Sequence, residues 1–101
     1  QKCTADIGKP NAQGVDINTW MPAQAEYRET HTADYMTDFQ ARSLATKAKL
    51  QDGRTEYAHT NDATAFALGR IMKAILENHQ QADGGVRVPE ALQQYYGGET
   101  L

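Results

Sequence analysis

The sequence predicts an α+β fold: an antiparallel sheet with one long C-terminal helix packed against it. Three observations lead there. Val15, Ile17 and Thr19 alternate with Asp16, Asn18 and Trp20, the period of a strand with one side facing a core. Asp52-Gly53 is a tight-turn signal between two short segments, which predicts a hairpin. Leu68, Ile71, Met72, Ile75, Leu76 and His79 recur at three- and four-residue spacing, which predicts an amphipathic helix. Strands crowded towards the middle and a helix late in the chain make a sheet covered by a helix. The 101 residues suffice for one domain, 1–101, whose single core buries ~65% of the surface the unfolded chain would expose.

In chain order, residues 6–14 hold Gly8, Pro10, Asn11 and Gly14 and read as a loop. The first strand follows, and Pro22 ends it. Tyr27 to Thr32, rich in Tyr and Thr, is a second strand. Asp38 to Ala48 is compatible with helix or strand. Arg54 to Thr60 returns as a strand after the Asp52-Gly53 turn. Asp62 or Thr64 is placed to cap the long helix, and Gly84-Gly85 stops the chain soon after its end. Pro89 opens a last short helix through Gln94.

Composition narrows the function. Ten Lys and Arg stand against 13 Asp and Glu, a formal net charge of −3. General nucleic-acid-binding modules carry the opposite balance, so any RNA contact has to be local. Cys3 is the single cysteine, which excludes an intrachain disulfide and a multi-cysteine zinc site and fits a reducing compartment. His31 and His59 are too far apart for a recognised zinc spacing and read as packed or surface residues. No signal peptide and no apolar run long enough for a bilayer occurs. The expectation is a cytoplasmic chain with no membrane partner.

The run Ala65-Phe66-Ala67-Leu68-Gly69-Arg70-Ile71 carries the clearest chemistry. Ala65, Ala67 and Gly69 permit close approach of a ligand or strand, and Phe66, Leu68 and Ile71 are expected to anchor the segment in a core. Arg70 then offers a fixed guanidinium fork suited to phosphate oxygens. The plainer reading of these seven residues is an amphipathic helix with a solvated Arg70. The stretch Thr60 to Gln80, which contains the run, resembles motif 3 of the class II aminoacyl-tRNA synthetases in the form found in seryl-tRNA synthetases. The resemblance continues on both sides. Downstream it includes Asp83-Gly84-Gly85-Val86-Arg87-Val88-Pro89-Glu90 and Tyr96-Gly97-Gly98. Upstream it includes Asp16-Ile17-Asn18-Thr19-Trp20-Met21-Pro22, Tyr27-Arg28-Glu29-Thr30-His31 and Asp38-Phe39-Gln40-Ala41-Arg42.

That resemblance implies a partial class II synthetase-type antiparallel sheet and the C-terminal part of a catalytic domain that activates serine with ATP and transfers it to tRNA(Ser). It implies an ATP site along Glu29, Thr30, His31 and Thr32, with Glu29 and the Thr32 hydroxyl holding Mg2+ where the family usually has glutamate and serine. Hard oxygen ligands suit an ion that keeps much of its shell on phosphate and water. Arg70 would contact the γ-phosphate and adenine of a bent ATP, which makes Arg70 and Glu29 the catalytic pair. Gln40 and Arg42 are assigned to packing.

The sequence departs from the family at the serine-binding loop. Where a leucine, an asparagine and then a serine or threonine are usual, this chain has Asn61, Asp62 and Thr64. Thr64 keeps the hydroxyl, whereas Asp62 replaces two donors by an anion that attracts an ammonium or repels a carboxylate. Ser43 stands where a second arginine is general. The resemblance also places the chain beyond the tRNA-binding helical arm, motif 1 and motif 2 of a longer enzyme, and Gln1 is not an initiator methionine. The isolated fragment is therefore expected to be inactive. It is also expected to form a homo-oligomer through a strand edge left unpaired. Two other readings stay open: a seryl-synthetase-like paralogue acting as an amino-acid carrier ligase or non-catalytic binding protein, and an unrelated small interaction domain.

Overall fold

The alternating segment forms β1 (Gln13–Met21), and a turn at Pro22–Ala25 returns the chain as β2 (Glu26–Thr37) in this computed structural model, which describes every residue from Gln1 to Leu101. Ala25 adopts a left-handed conformation at φ 51° to close that turn. β2 runs five residues beyond the expected Thr32 because it is paired on both sides. The sheet order is β1-β2-β5, with β5 at Thr60–Thr64. β2 and β5 are antiparallel, with Thr32 opposite Thr64, Asp34 opposite Asp62, and an irregularity between Tyr35 and Thr37.

The ambiguous segment 38–48 divides into α1 (Phe39–Leu44) and β3 (Lys47–Lys49). Ala45, left-handed at φ 53°, ends the helix. The Asp52-Gly53 turn behaves as its chemistry predicts: Gly53 has φ 87°, and β4 (Thr55–Tyr57) returns antiparallel to β3. The returning strand stops at Tyr57, so that Thr60–Thr64 pairs with β2 instead.

The predicted C-terminal helix forms but is not long. The helical part is α2 (Leu68–His79), 12 residues and the longest of three helices, followed by α3 (Glu90–Tyr96). Asp62 and Thr64 belong to β5 and do not cap α2, whose N-cap is Ala67 without a side-chain hydrogen bond. At the other end Gln80 turns extended and bridges to Val86, and Gly84 at φ 91° supplies the reversal between them. Pro89 precedes α3 as expected, and Gly97 closes it in the left-handed conformation.

The chain gathers into two compact units, Gln1–Ile17 with His31–Ala65 and Asn18–Thr30 with Phe66–Leu101. In the first, Met36 and Ala41 are buried beside Asp34. In β1 the alternation breaks where Ile17 and Asn18 are both exposed: Thr19 and Met21 beyond it are covered in the predicted phase, but before it Val15 and Ile17 are exposed while Gly14 and Asp16 face inward. The reason is Lys2, whose ammonium lies 3.2 Å from Asp16 and 3.0 Å from Asp34 and covers that side. A β-carbon at Gly14 would lie 2.2 Å from Asp34 Oδ1, so glycine keeps this packing possible. In the second unit Met21, Thr30, Ala74, Val86 and Val88 are buried. α2 presents Ile71, Ala74 and Ile75 inward, and the expected anchors Phe66 and Leu68 are 61% and 73% exposed. Gly69 has open space around it, so no neighbour makes a close approach there.

Candidate functional site

In the second unit the first half of β2 and the start of α2 meet at the backbone. Ala67 N–H donates to the Thr30 carbonyl at 2.9 Å, which fixes the first turn of α2 against the strand. One turn on, Arg70 Nη1 donates to the Glu29 carbonyl at 2.8 Å and lies 3.7 Å from its carboxylate. The pair predicted as catalytic is thus held together, with Arg70 about half exposed and anchored through one nitrogen of its fork. Thr30 is fully buried and shares a 2.9 Å hydroxyl contact with Thr19. Its side chain therefore packs the sheet and its carbonyl is taken by Ala67, so Thr30, expected at the ATP site, has no exposed surface there. Farther along α2, Asn78 donates to the Trp20 carbonyl at 3.0 Å and Glu77 accepts from Ala23 N–H at 3.0 Å, which ties the helix to the β1–β2 turn.

In the first unit His31, Thr32 and Thr64 line an open groove of about 310 Å³ together with Val15, Ile17 and Ala63. The exposed apolar residues of β1 thus form one wall of a cavity. Thr32 is the informative member: its hydroxyl oxygen is buried and has no hydrogen-bond partner. Buried polar atoms are almost always paired, so an orphan hydroxyl in a groove points to a ligand that completes it. Asp62 is exposed on β5, with its backbone opposite Asp34. Across an antiparallel pair, opposite residues share a face, so two carboxylates are neighbours here and Lys2 compensates one of them.

Sequence reasoning missed the Lys2, Asp16 and Asp34 cluster. Its signal was hidden, because alternation places Asp16 on the outward side of the first strand and Asp34 lies beyond the second strand expected to end at Thr32. The two carboxylates raise the Lys2 ammonium above its ordinary value, the hydrogen bond it donates to Asp34 contributing most. Gln40 bonds within the fold, whereas Arg42, also assigned to packing, has a side chain that is 63% exposed. Thr60 donates its hydroxyl to Gln40 at 2.6 Å, and Arg42 pairs with Asp38 at 2.6 Å. That guanidinium holds the Asp38 carboxyl below the usual range, mainly through its hydrogen bond. No group of three or more His, Cys, Asp or Glu side chains gathers anywhere in the chain.

A strand edge turning into an arginine-bearing helix beside a carboxylate, on an antiparallel sheet, has known counterparts. No family model matches the chain. Its relatives fall in one class, the aminoacyl-tRNA ligases. Within that class the chain is similar over its whole length to serine–tRNA ligases: it is 48% identical over 101 residues to that of Deinococcus radiodurans and 41% identical over 99 residues to that of Acidithiobacillus ferrooxidans. The chain spans about a quarter of the length of these curated relatives, 24% of each. Among solved structures, it superposes on seryl-tRNA synthetase from Pyrococcus horikoshii complexed with ATP with a TM-score of 0.87 and 43% identity, covering 97% of this chain and 22% of that one. The cytoplasmic serine–tRNA ligase of Naegleria fowleri in complex with AMP gives a TM-score of 0.80 at 34% identity, covering 94% and 22%. The motif resemblance to seryl-tRNA synthetases is therefore matched by the sequence and fold of nearly the entire chain.

Proposed function

We propose that residues 1–101 are the C-terminal part of a class II catalytic domain that activates serine with ATP and transfers it to tRNA(Ser) in the cytoplasm. The observation that carries this reading is Arg70, set by its bond to the Glu29 carbonyl at the start of a helix in a chain that superposes on an ATP-bound seryl-tRNA synthetase. Arg70 supplies positive charge to the γ-phosphate and a flat face to adenine, and Glu29, His31 and Thr32 line the nucleotide. Asp62 and Thr64 hold the amino acid, Thr64 through its hydroxyl and Asp62 through its charge.

The magnesium donors in this proposal are oxygens of two side chains. Glu29 offers a carboxylate, and Thr32 offers a buried hydroxyl with no other partner. Because no larger cluster of protein ligands exists, such an ion would keep the rest of its shell on phosphate and water. When bound it neutralises phosphate charge; the chain's residues orient the nucleotide and the amino acid for attack.

The test is a chimera in which this chain replaces the matching quarter of the Deinococcus radiodurans enzyme. Serine-dependent pyrophosphate exchange is expected, followed by charging of tRNA(Ser). Arg70→Ala in the chimera should lower exchange about 10- to 100-fold, as the loss of a desolvated arginine-to-phosphate contact of roughly 1.5–3 kcal/mol implies. Asp62 favours a second reading, a paralogue that activates an amino acid for a carrier other than tRNA. Exchange without tRNA charging would select it, and absence of exchange in a folded chimera would count against both.

A further inference from the structure

The β3–β4 ribbon lies outside the residues assigned so far, and its two faces differ in charge. Its register sets Lys47 opposite Tyr57, Ala48 opposite Glu56 and Lys49 opposite Thr55. Side chains alternate across a strand, so Lys47, Lys49 and Tyr57 share one face and Glu56 lies on the other. Arg54 binds Asp52 at 2.7 Å and Glu56 at 2.9 Å, which uses the acids of the hairpin away from the lysine face. On the lysine face Tyr57 gathers a further cation: the Arg42 guanidinium lies 4.9 Å and the Lys47 ammonium 5.2 Å from the ring centroid. Only Asp38 opposes them, and Arg42 already binds it.

Arg42, Lys47 and Lys49 are all exposed, in a chain whose net charge is −3. Attraction to the Tyr57 ring brings two like charges to one aromatic side chain, and a polyanion relieves the repulsion between them. We propose that this face binds the phosphate backbone of a single-stranded RNA. Lys47 and Lys49, about 6.8 Å apart along the strand, take neighbouring phosphates, and Tyr57 holds Arg42 beside them. The charge complementarity stands on the hairpin alone; RNA as the polyanion rests on the tRNA-ligase reading above. None of these residues belongs to the proposed ATP site, so the two proposals fail separately.

The experiment is fluorescence anisotropy of the 101-residue chain with a short labelled oligouridylate across a salt series. Binding at low salt is expected, with a log–log salt slope that includes about −1.4 from two lysine contacts, at roughly −0.7 per phosphate on a single strand. Lys47→Gln with Lys49→Gln should weaken binding about tenfold or more and remove that part of the slope. Arg54→Gln, on the acid-paired side, should leave affinity within about twofold. Tyr57→Leu should weaken binding by releasing Arg42. No binding by a chain with a dispersed amide spectrum would overturn the proposal, as would a double lysine variant that binds like the parent. Preference for polyglutamate or anionic vesicles over the oligonucleotide would overturn it in favour of an acidic protein or a membrane.

Discussion

Thr30 has no exposed surface, and its hydroxyl meets that of Thr19 at 2.9 Å. Valine has nearly the same shape and lacks the oxygen, so Thr30→Val isolates this polar contact from packing. The expected cost is about 1 kcal/mol, read by chemical denaturation as a lower midpoint at unchanged slope. A neutral substitution would show that the hydroxyl pair does not stabilise the sheet. Lys2 contributes through its charge, paired with Asp16 and Asp34. Its raised ammonium contributes stability that is complete below its ordinary value near 10.5 and is lost as pH rises through the raised one.

At the scale of elements, α1 carries an i,i+4 pair, Asp38 with Arg42, both reaching solvent. Because Arg42 lowers the Asp38 carboxyl below 3.8, the pair supports the helix above that value and loses its support as pH falls through the lowered one. Carboxyl-carbon NMR should place the Asp38 midpoint below the ordinary aspartate value, and Arg42→Gln should raise it. An unmoved midpoint would mean that the pair is broken in solution. Elements also show what is legible in sequence. The Asp52-Gly53 hairpin, the Pro22 stop and the periodic stretch from Leu68 to His79 are local chemistry and could be read directly. The end of β2 could not, because its last residues are strand by virtue of pairing with β5, a partner distant in sequence. The same pairing took Asp62 and Thr64 from the predicted cap. The inward side of β1 was also hidden, since hydrophobic alternation places Val15 and Ile17 inside and only the distant Lys2 makes Asp16 the covered residue. At the candidate site, residue types and order identified Arg70, Glu29 and Thr32. The Arg70 bond to the Glu29 carbonyl and the orphan Thr32 hydroxyl are properties of folded geometry.

For the molecule as a whole, β1 and β5 form the edges of the three-stranded sheet, and unpaired edges invite a second copy. We propose that the chain self-associates through such an edge. Light scattering at micromolar concentration should report a mass above that of the 11.2 kDa monomer, and a monomer would count against it. The likeness to serine–tRNA ligases covers the full chain and about a quarter of theirs. The most direct measurement is a magnesium-ATP titration of the chain by calorimetry or NMR, alongside Arg70→Ala and Glu29→Ala. Weak binding that both substitutions abolish is the predicted result; binding that survives either one, or none at all in a chain shown to be folded, would contradict the assignment of Arg70 and Glu29 to the nucleotide.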